Sequence, residues 1–265
     1  MTRITNMLAN GPMRARLVPG RTALRRAALA VGIALVLALA LRWWVTHWRP
    51  SPADWPMQGV AVGAANAPVR WAGLASQGAN FAYIDATTGA NGTNAGFTAE
   101  QGAARAAGLR VGAIHHFALC ALASEQAASF VRLVPRDADA LPPAVMLDVD
   151  PHCARHPTRA LLLSELSTFL NQVETHMGKA AIIAPSADFE QEYSISSAIN
   201  RAMWLRRTIR EPDVDGPPWV MWQANDALRI DGSTGPTRWL VLHDGGPRDD
   251  GGARDDGTAT RTRQD

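Results

Sequence analysis

The chain has 265 residues, 47% hydrophobic and 19% charged, enough for one sizeable core plus extensions. Its net charge of +2 is too balanced for a nucleic-acid partner, and Lys179 is the only lysine in a chain whose positive charge is otherwise arginine. Two cysteines, Cys120 and Cys153, fit either one disulfide or two buried thiols.

Residues 1–26 carry six arginines and no acid, and an uninterrupted apolar run follows from Ala27 to Leu41. Continued through Trp43, Trp44 and Val45, with Arg42 snorkelling, this run reaches the length of a bilayer core and ends in tryptophans suited to its interface. The segment 27–48 therefore reads as one transmembrane anchor. The arginine excess places 1–26 in the cytoplasm and the rest outside it, in a periplasm if the cell has two membranes. A cleavable signal peptide competes with this reading, since Ala38-Leu39-Ala40 has the small-x-small form of a cleavage site, and cleavage would give a secreted protein. Both readings put the thiols in an oxidising compartment.

Residues 49–57 read as a linker. From Gln58 the pattern predicts eight strands: Gly59–Val62, Phe81–Asp85, Val111–Phe117, Ala144–Val149, Ala180–Ala184, Met203–Arg206, Trp219–Gln223 and Trp239–His243. Helices are expected at Trp71–Gln77, Thr98–Ala107, Ser124–Leu133, Arg159–Met177 and Glu190–Asn200, two of them stopped by Gly108 and Gly178. Five strand–helix units followed by three strands make an α/β fold, a TIM-like β/α barrel of five-plus-three form spanning 58–245. The tail 246–265 has nothing to bury beyond alanine and reads as disordered.

The fourth strand ends in LPPAVMLDVDPHC, Leu141 to Cys153. A period of two puts Met146, Asp148 and Asp150 on one face, so both carboxylates point the same way at the strand's C-terminal end, where barrel active sites are built. The bland alternative is that both are ordinary turn residues. No metal-ligand set or cofactor motif stands out: the seven histidines are scattered, and His152, Cys153 and His156 form no closed set. GANG, Gly89 to Gly92, lacks the lysine and helix start of a phosphate loop.

The run from Gln58 through Gly245 resembles the family 25 glycoside hydrolases, lysozymes that cut the muramic acid side of peptidoglycan. FAYIDATTG (Phe81–Gly89) is similar to the family's F-x-x-I-K-A-T-E-G, AGLRVGAIHHF (Ala107–Phe117) to A-G-L-x-V-G-A-Y-H-F, and LPPAVMLDVD to L-P-P-x-x-D-x-E. MWLR and MWQAND resemble the P-L-W-I and W-Q-Y segments. The resemblance implies a peptidoglycan glycan strand as partner, but most of the family's acids do not carry over. The leading aspartate of the first strand falls on Ala61, its serine on Gly63 and its later aspartate on Arg70. The lysine and glutamate of K-A-T-E-G fall on Asp85 and Thr88, and a closing aspartate falls on Arg238. On strand four the D-x-E pair falls on Met146 and Asp148, or, after a two-residue slip, on Asp148 and Asp150.

Glycoside hydrolysis needs a proton donor and a second negative group to stabilise the oxocarbenium-like centre. With Asp148 and Asp150 as the remaining candidates, the expectation is a barrel impaired in catalysis that binds or scaffolds peptidoglycan; the alternative is a working muramidase. His115, Trp204, Trp222 and Gln223 are candidates to line a sugar groove, against the alternative that they are core packing, and His116 is expected to face a helix. Cys120 and Cys153 lie just beyond neighbouring strands, and export makes a disulfide the expected state.

Overall fold

A computed structural model describes residues 21–151, 153, 156–212 and 219–243; the expected disordered tail and most of the basic segment lie outside them. The chain divides into two compact units between Trp44 and Val45. Helix α1 (Arg21–His47), which makes up the described part of the first and ends three residues into the second, includes a 23-residue stretch, Arg25–His47, of mean hydropathy 2.1 with none of its apolar window buried. At a rise of about 1.5 Å per residue it is long enough for a hydrocarbon core of about 30 Å.

The second unit is a closed barrel. Its strands are β1 (Gln58–Val62), β2 (Phe81–Thr88), β4 (Arg110–Phe117), β5 (Ala144–Leu147), β6 (Ile182–Pro185), β7 (Ala202–Leu205), β8 (Trp219–Leu228) and β9 (Thr237–Leu242), with β3 (Gly92–Thr93) a short ribbon on the end of β2. β1 pairs with β2 and with β9, which closes the ring; all neighbours are parallel except β9, antiparallel to both of its partners. Helices α2 (Trp71–Ser76), α3 (Phe97–Ala106), α4 (Ala123–Leu133), α5 (Arg159–Met177) and α6 (Ala187–Tyr193) follow the first five barrel strands. The predicted five-plus-three barrel is the fold observed.

Local chemistry sets the helix ends. Thr158 caps α5 by accepting from Leu161 N–H, and Gly178 closes it at φ 70, a left-handed conformation that glycine adopts without steric cost. The fifth helix begins earlier and is shorter than expected. Ser186 caps it through Phe189 N–H, and Ser194 at φ 48 turns the chain out after Tyr193. β5 is also shorter than expected, stopping at Leu147 rather than Val149. Leu147 pairs with Pro185, its carbonyl accepting from Ser186 N–H (2.8 Å), and the paired register ends there, so Asp148 and Asp150 lie beyond the strand.

Side chains alternate between two layers. Ala61, Phe81, Tyr83, Ile114, Ala144, Met146, Ile182, Ala184, Trp204, Met221 and Leu240 fill the barrel interior. Their sequence neighbours pack outward under the helices, around Leu166, Phe169, Phe130 and Val173. Gly112 is needed on the inner wall because a Cβ there would overlap the Tyr83 ring.

Residues 49–57, expected as a linker, are strapped to the barrel wall where the helices run out. Asn225 Nδ2 donates to the carbonyls of Val45 and Trp48 (both 2.8 Å), and Arg229 N–H donates to Thr46 O (2.7 Å). Gln58 Nε2 bonds the carbonyls of Pro50 and Trp55. Trp48 and Trp55 pack on the outward ring of Trp222, at centroid distances of 6.3 and 5.8 Å. The outer face of β8 is apolar and has no helix of its own, so this strap supplies the cover that keeps it from water.

Candidate active site at the barrel mouth

The inner face can be followed strand by strand to the mouth. Each step of two beyond the inner layer brings a polar side chain: Asp85 beyond Tyr83, His116 beyond Ile114, Asp148 beyond Met146 and Arg206 beyond Trp204. On antiparallel β9, Arg238 lies two residues before Leu240 and pairs directly with Ala61. The small side chain at 61 leaves the guanidinium room to cross to β2.

These groups form two ionic clusters. Asp85 Oδ1 accepts from Arg238 Nη2 at 2.8 Å and lies 3.1 Å from His116 Nε2. Burial alone would push the Asp85 carboxyl up, but the hydrogen bond from His116 and the charges of Arg238 and His116 outweigh it and hold the group below the ordinary carboxylate value. Gly63 is part of the same device, since a Cβ there would collide with the Asp85 carboxylate. Across the mouth, Arg206 Nη1 donates to Asp148 Oδ1 at 2.6 Å. Asp148 is the more open acid, its side chain 47% exposed against 27% for Asp85.

Asp150 lies two residues beyond Asp148. It lies in the turn past β5, where its carbonyl accepts from Cys153 N–H (3.2 Å) and His156 Nε2 (3.0 Å). That second bond, with Glu192 on the other ring nitrogen, raises the His156 pKa. Cys120 and Cys153 are joined by a disulfide with Cα atoms 5.7 Å apart, tying the turn after β5 to the loop after β4.

The histidine expectations are reversed. His115 faces the helices, fully buried, stacked on Phe169 at 4.5 Å and edge-on to Phe130. Gln126 Oε1 can only accept, so His115 Nε2 carries the proton and Nδ1 accepts from the Thr87 hydroxyl at 2.7 Å. Burial drives its pKa down to about 4, against a smaller upward pull from Gln126, and the ring is neutral. It does not reach the mouth; His116 does. Trp222 likewise lies on the outer face, under the strap, its Nε1 donating to the Arg207 carbonyl.

Trp204 and Gln223 do lie on the inner wall. Trp204 is fully buried against Tyr83 at 5.4 Å, and Gln223 sits opposite inner-layer Leu240. Trp204 Nε1 and Gln223 Oε1 are the buried side-chain atoms without a hydrogen-bond partner among the described residues. Reasoning from sequence missed Asp85, His116, Arg206 and Arg238 as one constellation. Counting in twos from the inner apolar residues to each strand's mouth end would have found it.

The comparisons agree with this architecture. The family model described as glycosyl hydrolases family 25 matches residues 60–233. Among solved structures, a family 25 glycosyl hydrolase from Bacillus anthracis superposes with a TM-score of 0.67 at 26% identity, covering 75% of this chain and 93% of that one. A bacterial lysozyme from Streptomyces coelicolor (TM-score 0.64, 24% identity, 71% and 92% covered) and a family 25 lysozyme from Aspergillus fumigatus (0.61, 20%, 71% and 93%) share the fold. The curated proteins contain no match. A barrel of this strand order, matched by the family model from its first strand to the turn before its last, makes the chain a member of the family 25 glycosyl hydrolases.

Proposed function

We propose that this chain is a membrane-anchored, lysozyme-like barrel that faces the cell wall and binds peptidoglycan glycan strands while hydrolysing them poorly or not at all. The observation that carries the reading is the state of the mouth: each inward carboxylate is held by an arginine, Asp85 by Arg238 and Asp148 by Arg206. The other positions where the family resemblance expects acids carry Ala61, Arg70, Thr88 and Arg238, with Met146 added in the unslipped register of the fourth strand.

Protonating a leaving oxygen needs a carboxyl that still holds its proton near neutral pH. Asp85 is shifted the wrong way for that role. Asp148 spends Oδ1 on a guanidinium, and an aspartate at a glutamate's position falls short by about 1 Å, a misplacement that can cost on the order of 100-fold in rate. Binding is better supported. The part-exposed Asp148 and Arg206 at the mouth offer a carboxylate and N–H donors to a sugar's hydroxyl and acetamido groups.

The anchor reading rests on α1, which is long and apolar enough to span, with the arginine-rich segment before it kept inside. A working muramidase is the second reading, favoured by the exposure of Asp148. Co-sedimentation with insoluble peptidoglycan tests the binding function. The full chain is expected in the pellet, and protein left wholly in the supernatant would remove the glycan-binding role.

A further inference from the structure

On the outer side of β7 the barrel has a cavity of about 390 Å³, within the size range of small-molecule sites. It opens where the barrel runs short of helices: β7 leads to β8 without one among the described residues, so the outward side chains Met203, Leu205 and Trp219 form an apolar floor. Arg206 and Arg207 line the same space.

Among the described residues the charge balance of this cavity is one-sided. The one lining acid among them, Glu190, is held by its own turn, accepting from Ile195 N–H, Ser196 N–H and the Ser196 hydroxyl. Arg207 has its backbone fixed through the carbonyl that receives Trp222 Nε1, yet its side chain has no partner among the described residues. Arg206 spends Nη1 on Asp148, which holds the guanidinium in place and leaves its other N–H donors without a partner among the described residues. Two guanidiniums with unspent donors beside an apolar floor match a ligand with a compact apolar body and one anionic head.

We propose that this cavity is a binding site for a small soluble amphipathic anion, a carboxylate or phosphate monoester on a short apolar or aromatic body. The head group pairs with Arg206 and Arg207, and the body lies on Met203, Leu205 and Trp219. Because Arg206 also holds Asp148, one residue serves this site and the mouth.

The test uses the full chain in phosphatidylcholine nanodiscs, titrated by fluorine NMR with 4-(trifluoromethyl)benzoate, with 4-(trifluoromethyl)phenyl phosphate and with the uncharged 4-(trifluoromethyl)benzyl alcohol. The two anions are expected to bind at least about 10-fold more tightly than the alcohol, with Arg207→Gln and Arg206→Gln each weakening them by about 10-fold, as the loss of a charge-assisted pair implies. Arg207 is exposed, so its variant keeps the fold and isolates the binding term. Equal affinity for acid and alcohol, unchanged binding in Arg207→Gln, or no binding by any probe at about 10 mM would overturn the proposal. Displacement of the benzoate by phosphatidylglycerol added to the discs would transfer the site to lipid headgroups and equally overturn the soluble ligand.

Discussion

His115 and His116 are neighbours on β4, yet one is sealed between Phe169 and Phe130 and the other stands at the barrel mouth against Asp85. The outer layer around His115 is apolar, and its few polar groups are matched one to one. The mouth is ionic, and its charges are spent on one another. The difference teaches that the shell and the site of one barrel can change independently, since the pleat sends alternate residues to different environments. In this chain the shell carries the family's fold, while the mouth pairs its carboxylates Asp85 and Asp148 with arginines.

The sharpest way to break the comparison is through the shell. Phe169→Ala should destabilise the barrel by about 3–5 kcal/mol in denaturant unfolding, because the ring is fully buried and stacks on His115. A loss below about 1 kcal/mol would mean the shell is not the close-packed layer described. Replacing Cys120 and Cys153 by serine should cost about 3–4 kcal/mol, the chain-entropy value for a closure spanning 33 residues.

Acid should reach the shell through His115. Its pKa falls from 6.5 to about 4 on folding, so between those values the unfolded chain binds a proton that the folded chain refuses. That stability is fully present above about pH 6.5 and is lost as pH falls toward 4, roughly 3 kcal/mol in all. His115→Phe should start less stable, leaving Thr87 and Gln126 short of a partner, and should show a flatter profile in this window. Asp85, held below 3.8, adds its own loss only at more acidic pH.

Much of this was legible beforehand, for physical reasons. Apolar runs punctuated by glycine and proline marked all eight barrel strands, because each parallel strand is covered on both faces. The cysteines read correctly because strand neighbourhood fixes which loops are adjacent. What failed was facing. His116 faces the mouth where a helix is expected, and His115 takes the core-packing alternative and not the groove, since a period of two gives alternation but not its phase; the inner layer of β4 runs through Ile114 to His116. The strap was hidden because Pro, Ser and Asp around 50–56 read as linker chemistry. Trp48 and Trp55 were the contrary signal, as exposed linkers seldom carry large aromatics. Trp222 likewise takes the packing alternative, with the strap as its partner.

The mouth should respond more gently than the shell. Arg238→Ala removes the guanidinium partner of a largely buried Asp85 and should cost about 1–3 kcal/mol. Asp148→Asn should cost less than about 1 kcal/mol, because that pair is partly open to solvent. Reversal of this order would place the tighter ionic lock at Arg206 rather than Arg238.

The most direct measurement is the release of reducing ends from purified peptidoglycan by the full chain, compared with its Asp148→Ala variant from acid to neutral pH. The wild-type chain is expected to release no more than the variant at every pH. Release that is robust in the wild type and abolished by Asp148→Ala would contradict the account and make the mouth a working muramidase site.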